Sequence, residues 1–233
     1  MEKTEEPTEL ISNHSLSFSH SIGSPLANPT GVAFDQEHLW IMCGEHNASE
    51  NTLIYYDEDN YSILKSFTYN NLIEELGTGV YGITYYDNAV WISVSGTVNK
   101  IVKVDTDDGS ILQTWSSPSN LGPSDIHWDS SREEFWLSTG TDEVYTINSV
   151  SGGATPFSIS GGLPDRDHGI VSYQNEIWIG TLFQTDILVY DKQTATYLGR
   201  IPNALQKNGN MCFHEGKLTI VNDQGLQFYE VIE

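Results

Sequence analysis

The chain has 233 residues, of which 38% are hydrophobic and 11% are aromatic, and this suits one folded domain with a full core. Thirty-two acidic against 10 basic residues give a formal net charge of −22, which disfavours nucleic-acid phosphates and anionic membranes as partners. No run approaches the ~18 apolar residues of a membrane span, so we expect no nucleic-acid binding and no membrane insertion.

Residues 1–14 form an acidic leader without the apolar core of a signal peptide, and we expect this leader to be disordered. The protein is then expected either in the cytoplasm or a virion, or as the mature form of an exported protein. Directly after the leader, residues 15–22 (SLSFSHSI) alternate apolar and polar side chains, which predicts a β-strand.

A repeat runs through the rest of the chain. An apolar-Trp-apolar segment recurs at Trp40, Trp91, Trp136 and Trp178, and Thr219 holds the same frame in a fifth unit. A short run precedes each segment by one turn: TGVAFD, YGITYYD, SDIHWD, HGIVSY and GNMCFH. A third run follows each segment and ends in an acid or Asn, as in TLIYYD and EVYTIN. These runs have the length and β-branched content of strands.

Four strands per unit of about 40–50 residues are typical of propeller blades. We therefore predict an all-β fold, a five-bladed β-propeller of four-stranded blades, as a single domain over residues 15–233. The fifth unit has only three strands before the chain ends, and residues 15–22 are predicted to complete it and close the ring. One helix is predicted at residues 70–77, between the first two blades.

Candidate site residues collect on one face of this ring, where loops enter the first strand of each blade and leave the second. Strand starts supply Tyr81, Asp125, His168 and Asn210 as candidate ligand-binding residues. Loops after second strands add Glu45, His46 and Asp223. Asp125 and Asn210 offer oxygen atoms at a register where other blades have Gly, so they are candidate ligands for Ca²⁺. A hydrated, hydrogen-bonded channel mouth is the alternative.

Other polar residues admit structural interpretations. His127 lies inside a first strand and is expected to be a core histidine with a backbone partner. Cys43 and Cys212 are expected either as two small buried side chains or as a disulfide between neighbouring blades. The sequence contains no GxSxG, HExxH, phosphate-binding GxxxxGK[ST] or CxxC motif.

The repeat resembles the NHL/YncE-like propeller superfamily in its G-[IV] first strand, its apolar-Trp-apolar second strand and its acid-ending third strand. The plant-type glutaminyl cyclases are a closer architectural parallel, because they are similar in having five blades of this strand pattern. That family carries glutamates at inner-strand starts, in motifs such as E-G-L. Here Tyr81 precedes Gly82 and His168 precedes Gly169, so the resemblance does not extend to those acids.

Three functions follow as hypotheses. The first is a non-enzymatic recognition or assembly module that binds a protein, small molecule or glycan through the loop-rich face. The second is a channel-mouth hydrolase, lyase or cyclase, which could depend on a metal, with His168 as general base and Asp125 as its orienting residue or as a ligand. The third is a structural component of a larger particle, such as a virion or surface assembly, with the acidic leader as a docking arm.

Overall fold

A computed structural model describes residues 11–44, 50–70, 79–96, 99–118, 122–140, 143–159, 167–181, 185–202, 210–222 and 225–233. Within these ranges the backbone forms β-strands joined by turns and irregular segments. In chain order the strands are β1 Ser15–Ile22, β2 Pro29–Phe34, β3 Leu39–Gly44, β4 Glu50–Asp57, β5 Ser62–Asn70, β6 Gly79–Tyr86, β7 Ala89–Ser95, β8 Lys100–Asp105, β9 Ile111–Ser116, β10 Pro123–Asp129, β11 Glu134–Thr139, β12 Val144–Asn148, β13 Ala154–Phe157, β14 Asp167–Tyr173, β15 Glu176–Thr181, β16 Ile187–Asp191, β17 Tyr197–Ile201, β18 Met211–His214, β19 Lys217–Asn222 and β20 Gly225–Ile232.

The strands form five antiparallel sheets of four, and each sheet is one blade of a propeller. Four blades consist of consecutive strands, from β2–β5 to β14–β17. The fifth has the order β1-β20-β19-β18, with Ser15 opposite Ile232 and Ile22 opposite Leu226. The predicted five-bladed, all-β architecture and its closure by the N-terminal strand are both confirmed.

Two ends of the ring differ in their connections. Hairpins from the first to the second strand and from the third to the fourth lie at one end, which we call the turn face. The connections from the second to the third strand and from one blade to the next lie at the other end, which we call the loop face. The first strands β2, β6, β10, β14 and β18 are the inner strands around the central axis.

The tryptophans of the second strands form the packing between blades. Trp40, Trp91, Trp136 and Trp178 are each at most 2% exposed. Trp40 of the first blade packs in one cluster with Val80 and other residues of the second blade. Burial of a side chain of this size contributes strongly to the free energy of folding. The Trp residues therefore recur in the sequence because each interface between blades needs one in its core.

Acids accept the indole N–H in three blades, whereas in the second blade Trp91 Nε1 donates to the Tyr86 carbonyl at 3.3 Å. Trp40 Nε1 donates to Asp35 Oδ2 at 3.0 Å, and Trp136 Nε1 donates to Asp129 Oδ2 at 3.1 Å. In the fourth blade the acceptor is Glu176 Oε2, 2.8 Å from Trp178 Nε1. Three of the first runs in the sequence end in Asp, and two of these residues, Asp35 and Asp129, supply the partner that a buried indole needs.

The acid or Asn that ends a third strand organises the following hairpin. In the first four blades its side-chain oxygen accepts a backbone N–H from two or three residues ahead, at 2.6–2.9 Å. This is an Asx turn, in which the side chain takes the place of a backbone acceptor. The residues are Asp57, Asp105, Asn148 and Asp191.

A buried ion pair joins the third and fourth blades. Lys192 Nζ lies 2.8 Å from Asp129 Oδ2, and the two side chains are 4% and 3% exposed. Burial acts to raise the pKa of Asp129, but hydrogen bonds from Lys192, Ser131 and Trp136 hold that pKa below its usual value. Asp129 therefore stays ionised, with its charge matched inside the interface.

Two remaining features concern helices. The helix predicted at residues 70–77 overlaps β5 at Asn70, and its other residues lie outside the described ranges. Among the described residues, no helix has the length and apolar character that crossing a bilayer requires.

Candidate functional site

Backbone irregularities mark the loop-face ends of four inner strands. The pairing register shifts between Pro29 and Gly31, between Val80 and Ile83, between Pro123 and Asp125, and between Asp167 and Gly169. Such bulges re-aim side chains and often occur beside functional sites. Thr30, Ser124 and His168 lie at three of these shifts, and the shift in the second blade contains Tyr81 and Gly82.

Asp125 occupies the centre of this end of the ring and is fully buried. Its Oδ1 accepts the N–H of Ile126 at 2.7 Å, and its Oδ2 accepts the N–H of Ile170, in the fourth blade, at 2.8 Å. The side-chain amide of Asn210, which precedes the fifth inner strand, donates to Oδ1 as well. The carboxylate therefore joins three blades.

Asn210 continues the connection to the first blade. Its Oδ1 accepts the N–H of Val32 at 2.5 Å, and its backbone carbonyl accepts the N–H of Val221 at 3.1 Å. It is 2% exposed. We call Asp125 and Asn210 together the axial pair, since their hydrogen bonds connect the third, fourth, fifth and first blades across the axis.

The second blade approaches the axial pair through a glycine. A Cβ atom at Gly82 would lie 2.1 Å from Asp125 Oδ1 and 2.5 Å from Asp125 Cα. Gly82 must therefore lack a side chain for the blade to sit this close. Its N–H donates to Ser93 Oγ at 2.9 Å, and Ser93 Oγ donates to the Gly82 carbonyl at 3.2 Å, so the bulged backbone is satisfied within the blade.

The electrostatics of Asp125 follow from its burial. Burial raises its pKa well above the usual range, while hydrogen bonds from Ile170, Ile126, Asn210 and the Met211 backbone act in the opposite direction. Both carboxylate oxygens accept N–H donors, so a cation at this position would have to displace donors that hold the blades together. In the described ranges, no three His, Cys, Asp or Glu side chains are grouped to hold a metal ion.

The structure describes the other predicted site residues to different extents. The Tyr81 ring is half-buried against Gly79, and burial raises its pKa. His168 is described only through its backbone in β14. Glu45, His46 and Asp223 lie outside the described residues. The structure thus brings Asp125 and Asn210 together, and the ligand, catalytic and Ca²⁺ roles of all these residues remain predictions.

The two cysteines are present as free thiols, not as a disulfide. Cys43 and Cys212 belong to one core cluster at the seam between the first and fifth blades. Burial raises the pKa of both thiols, and the nearby Asp125 charge adds to the effect at Cys212. A thiol with a raised pKa is a poor nucleophile, and packing is the role that this environment supports.

A second polar site lies at the opposite end of the axis, on the turn face. It is a cavity of about 410 Å³ that is lined by residues at or just beyond the C-terminal ends of all five inner strands. His127 and Ser172 share its floor, with His127 Nε2 lying 3.3 Å from Ser172 Oγ. The partner of His127 in the structure is thus a side chain, where the sequence suggested a backbone group.

The sequence contained a signal for this cavity. The pairings of the inner strands with their neighbours place Phe34, Tyr85, Trp128, Ser172 and Phe213 at one register. Four of these positions carry an aromatic ring and the fourth blade carries a small hydroxyl. An aligned ring of large residues with one small member indicates space beside it.

The fold is shared with proteins of very different sequence. A glutaminyl cyclase from Myxococcus xanthus superposes with a TM-score of 0.72 over 96% of this chain and 100% of that chain, at 13% identity. A catalytically inactive virginiamycin B lyase from Staphylococcus aureus, with quinupristin, gives a TM-score of 0.58 over 91% of this chain and 69% of that one, at 19% identity. A structure of a nidogen/laminin complex gives 0.59 over 89% and 70%, at 12% identity.

These similarities show the fold alone, which is the β-propeller architecture that the repeat predicted. Neither a protein-family model nor a curated relative matches the sequence. At identities below 20%, a shared fold carries no function with it, so function has to be argued from the residues of this chain.

Proposed function

We propose that the protein is a non-enzymatic recognition module whose loop face binds a basic protein partner. The observation that carries the proposal is the state of the axial pair. Asp125 is fully buried, and its two oxygens accept N–H groups from Ile126, Ile170 and Asn210. A buried Asp125 carboxylate with these hydrogen bonds stabilises the ring of blades. Proton transfer from this carboxylate to a substrate would first require breaking the hydrogen bonds.

The distribution of connections supports the loop face as the binding surface. On the turn face, first-to-second-strand hairpins are tight: Asp87 and Asn88 form one with φ of 54° and 51°, and Glu215 and Gly216 form another with φ of 49° and 80°. Such turns leave little room for variation. Longer connections on a rigid scaffold are where binding residues concentrate.

The charge supports a basic partner. A net charge of −22 on 233 residues attracts cationic surfaces and accelerates their association at low ionic strength. Propellers also act in protein assemblies, as the similar structure of a nidogen/laminin complex illustrates. A protein partner with exposed Lys and Arg side chains fits this surface best.

A peptide-display selection on the immobilised full-length protein tests the proposal. We expect enrichment of Lys- and Arg-containing peptides, whose affinity falls several-fold in E45Q/D223N. The control is D59N/D107N, which removes the same number of charges from turn-face hairpins, where Asp107 is 92% exposed. Equal losses of affinity in both variants would show that the peptides bind through the net charge and not through the loop face. An absence of enriched peptides would contradict the proposal.

One observation favours a second candidate, a glutaminyl cyclase. The cyclase from Myxococcus xanthus superposes over its entire chain with a TM-score of 0.72. Incubation of the protein with a peptide bearing N-terminal Gln, followed by mass spectrometry for loss of ammonia, tests this directly. Turnover that disappears in D125N would favour the cyclase, whereas our proposal predicts no turnover above the uncatalysed rate.

A further inference from the structure

The cavity on the turn face has the features of a ligand site that is separate from the loop face. Its volume of about 410 Å³ falls within the ~300–1,000 Å³ typical of small-molecule pockets. It lies on the propeller axis, where the inner strands end. The axial pair lies further along the same strands toward the loop face, so the two ends of the axis are separate environments.

Ser172 creates the space for a ligand. At the equivalent register the other inner strands carry Phe34, Tyr85, Trp128 and Phe213, and all four rings line the cavity. The fourth blade has the small Ser172 side chain where the other four blades have an aromatic side chain. The space that a fifth aromatic side chain would occupy is therefore left unfilled. The result is a cavity with an aromatic wall and a polar floor.

The aromatic wall is held in place by contacts among its own rings and with neighbouring rings. The Tyr86 and Trp128 rings stack with centroids 3.5 Å apart and 19° between their planes. Trp128 also packs on Phe135, with centroids 5.0 Å apart, and Phe34 contacts His214 edge-on at 4.1 Å. Aromatic faces carry a negative electrostatic potential that favours a cation.

Acidic side chains lie on the cavity lining and next to it in sequence. Asp87 lines the cavity and is 63% exposed, paired with Lys103 at 2.8 Å. The pKa of Tyr85 is raised by burial and by the negative charges of Asp35, Glu37 and Asp87. Asp35 is oriented by the indole N–H of Trp40. Asp35 and Glu37 flank the lining residue Gln36, so on this side of the cavity three carboxylates face one lysine, and the resulting negative charge attracts cations.

The floor offers hydrogen bonds for an uncharged part of the ligand. Burial lowers the pKa of His127 below its usual range, so the imidazole that faces Ser172 is neutral at physiological pH and does not repel a cation. Ser172 Oγ, 3.3 Å from His127 Nε2, can donate or accept. A hydroxyl or carbonyl group near the cationic centre of a ligand would find a partner here.

We propose that the turn-face cavity binds a small organic ammonium ion, with the cationic group against the aromatic wall and a polar group toward Ser172. The aromatic wall, the acidic side chains beside it and the volume together select this class of ligand. A fully apolar molecule would leave the carboxylates unused, and an anion would be repelled by them.

Titration with choline, compared with its neutral isostere 3,3-dimethylbutan-1-ol, tests the proposal on the full-length protein. We expect saturable binding of choline, followed by Trp fluorescence and calorimetry, with an affinity about tenfold higher than that of the isostere. The titration is repeated in a large excess of NaCl, because ions that are only attracted to the net charge are displaced by salt.

Matched variants assign the binding to the cavity. W128F keeps an aromatic face and should retain most of the affinity, whereas W128L should lose it about tenfold or more. F34L, at the opposite wall, gives the same test if W128L does not fold, and F18L is a control at a ring that is 56% exposed and outside the cavity. Equal affinity for the two probes, displacement by salt, or undiminished binding in both W128L and F34L would overturn the proposal.

Discussion

At the scale of single residues, the most informative side chain is Asp125. The sequence identified it as a polar residue in a register of glycines, which is compatible with a ligand, a catalytic acid or a structural role. The structure shows a buried carboxylate whose oxygens hold N–H groups of the third and fourth blades and the amide of Asn210. A ring of blades has no central core, and the axial pair supplies contacts that such a core would otherwise make.

The axial pair predicts a large effect for Asn210→Ala. The substitution leaves the Val32 N–H and one Asp125 oxygen without this partner, and we expect about 3 kcal/mol of lost unfolding free energy. Urea unfolding monitored by circular dichroism measures it. The control N175A removes only an exposed bond to Asp191 and should change stability by less than about 0.5 kcal/mol. Equal effects would show that the axial pair is not a brace.

The ion pair between blades gives a second prediction. Lys192→Met should lower the unfolding free energy by about 3–5 kcal/mol, because Asp129 would remain buried without a countercharge. The double variant K192M/D129N carries no unpaired charge and should recover part of the loss. Chemical unfolding of the three proteins measures both steps, and a double variant less stable than K192M would contradict the explanation.

His127 gives a pH prediction. Burial lowers its pKa to about 4, with Asp129 raising it and Lys192 lowering it, against ~6.5 in an unfolded chain. As pH falls through this window the unfolded chain binds a proton that the folded protein does not, so stability declines. In H127Q the decline should be smaller by about 2 kcal/mol.

The measurement is the unfolding free energy of both proteins between pH 7 and pH 4. His214, whose pKa burial also lowers, titrates in both proteins and cancels in the comparison. Part of the His127 ring faces the cavity, so we expect somewhat less than the full effect of the shift. If the unfolding free energies of the two proteins had the same pH dependence, His127 would have the same pKa in the folded protein as in the unfolded chain, which would contradict the prediction.

At the scale of elements, closure of the ring depends on β1. The strand pairs along its length with β20, from Ser15 opposite Ile232 to Ile22 opposite Leu226. Without it, the outer edge of β20 would expose unpaired N–H and C=O groups. The closing strand is also the part of the fifth blade most distant in sequence from its neighbours.

Deletion of residues 1–22 should therefore lower the melting temperature by several degrees and promote association through the free edge. Calorimetry and light scattering coupled to size-exclusion chromatography measure the two effects. Deletion of residues 1–10 is the control, and we expect it to change neither. A monomeric, equally stable protein after the longer deletion would contradict this role of β1.

The strands could be predicted from the sequence because the residues that determine them are close together in the chain and recur from blade to blade. The Trp frame, the Asp or Asn that ends third strands, and alternation in residues 15–22 all act within a few residues or recur in every blade. The axial pair joins residues 85 positions apart, and neither partner has a local pattern that indicates the other. The turn-face cavity depends on one small residue, Ser172, whose significance appears only when all inner strands are aligned.

At the scale of the whole molecule, a braced ring separates two surfaces. The loop face is assigned to a basic protein partner and the turn face to a small organic cation. Both proposals use the same −22 charge, but the second also rests on an aromatic cavity at the turn face. The axial pair and the interblade tryptophans connect neighbouring blades, which makes the described part of the ring a preorganised scaffold.

Electrostatic attraction at this scale predicts a strong dependence on salt. Association of a basic peptide selected against the loop face should slow by about tenfold or more between low and physiological ionic strength. Its dissociation rate should change much less. Stopped-flow kinetics measures both rates, and a salt-independent association rate would show that the charge plays no part in recognition.

Hydrogen–deuterium exchange of the full-length protein with and without that peptide tests the central claim most directly. The account predicts protection of the connections on the loop face, with the turn-face hairpins at 57–61, 87–88 and 148–153 unchanged. Protection confined to the turn-face hairpins, or none at saturating peptide, would contradict the assignment of the loop face as the recognition surface.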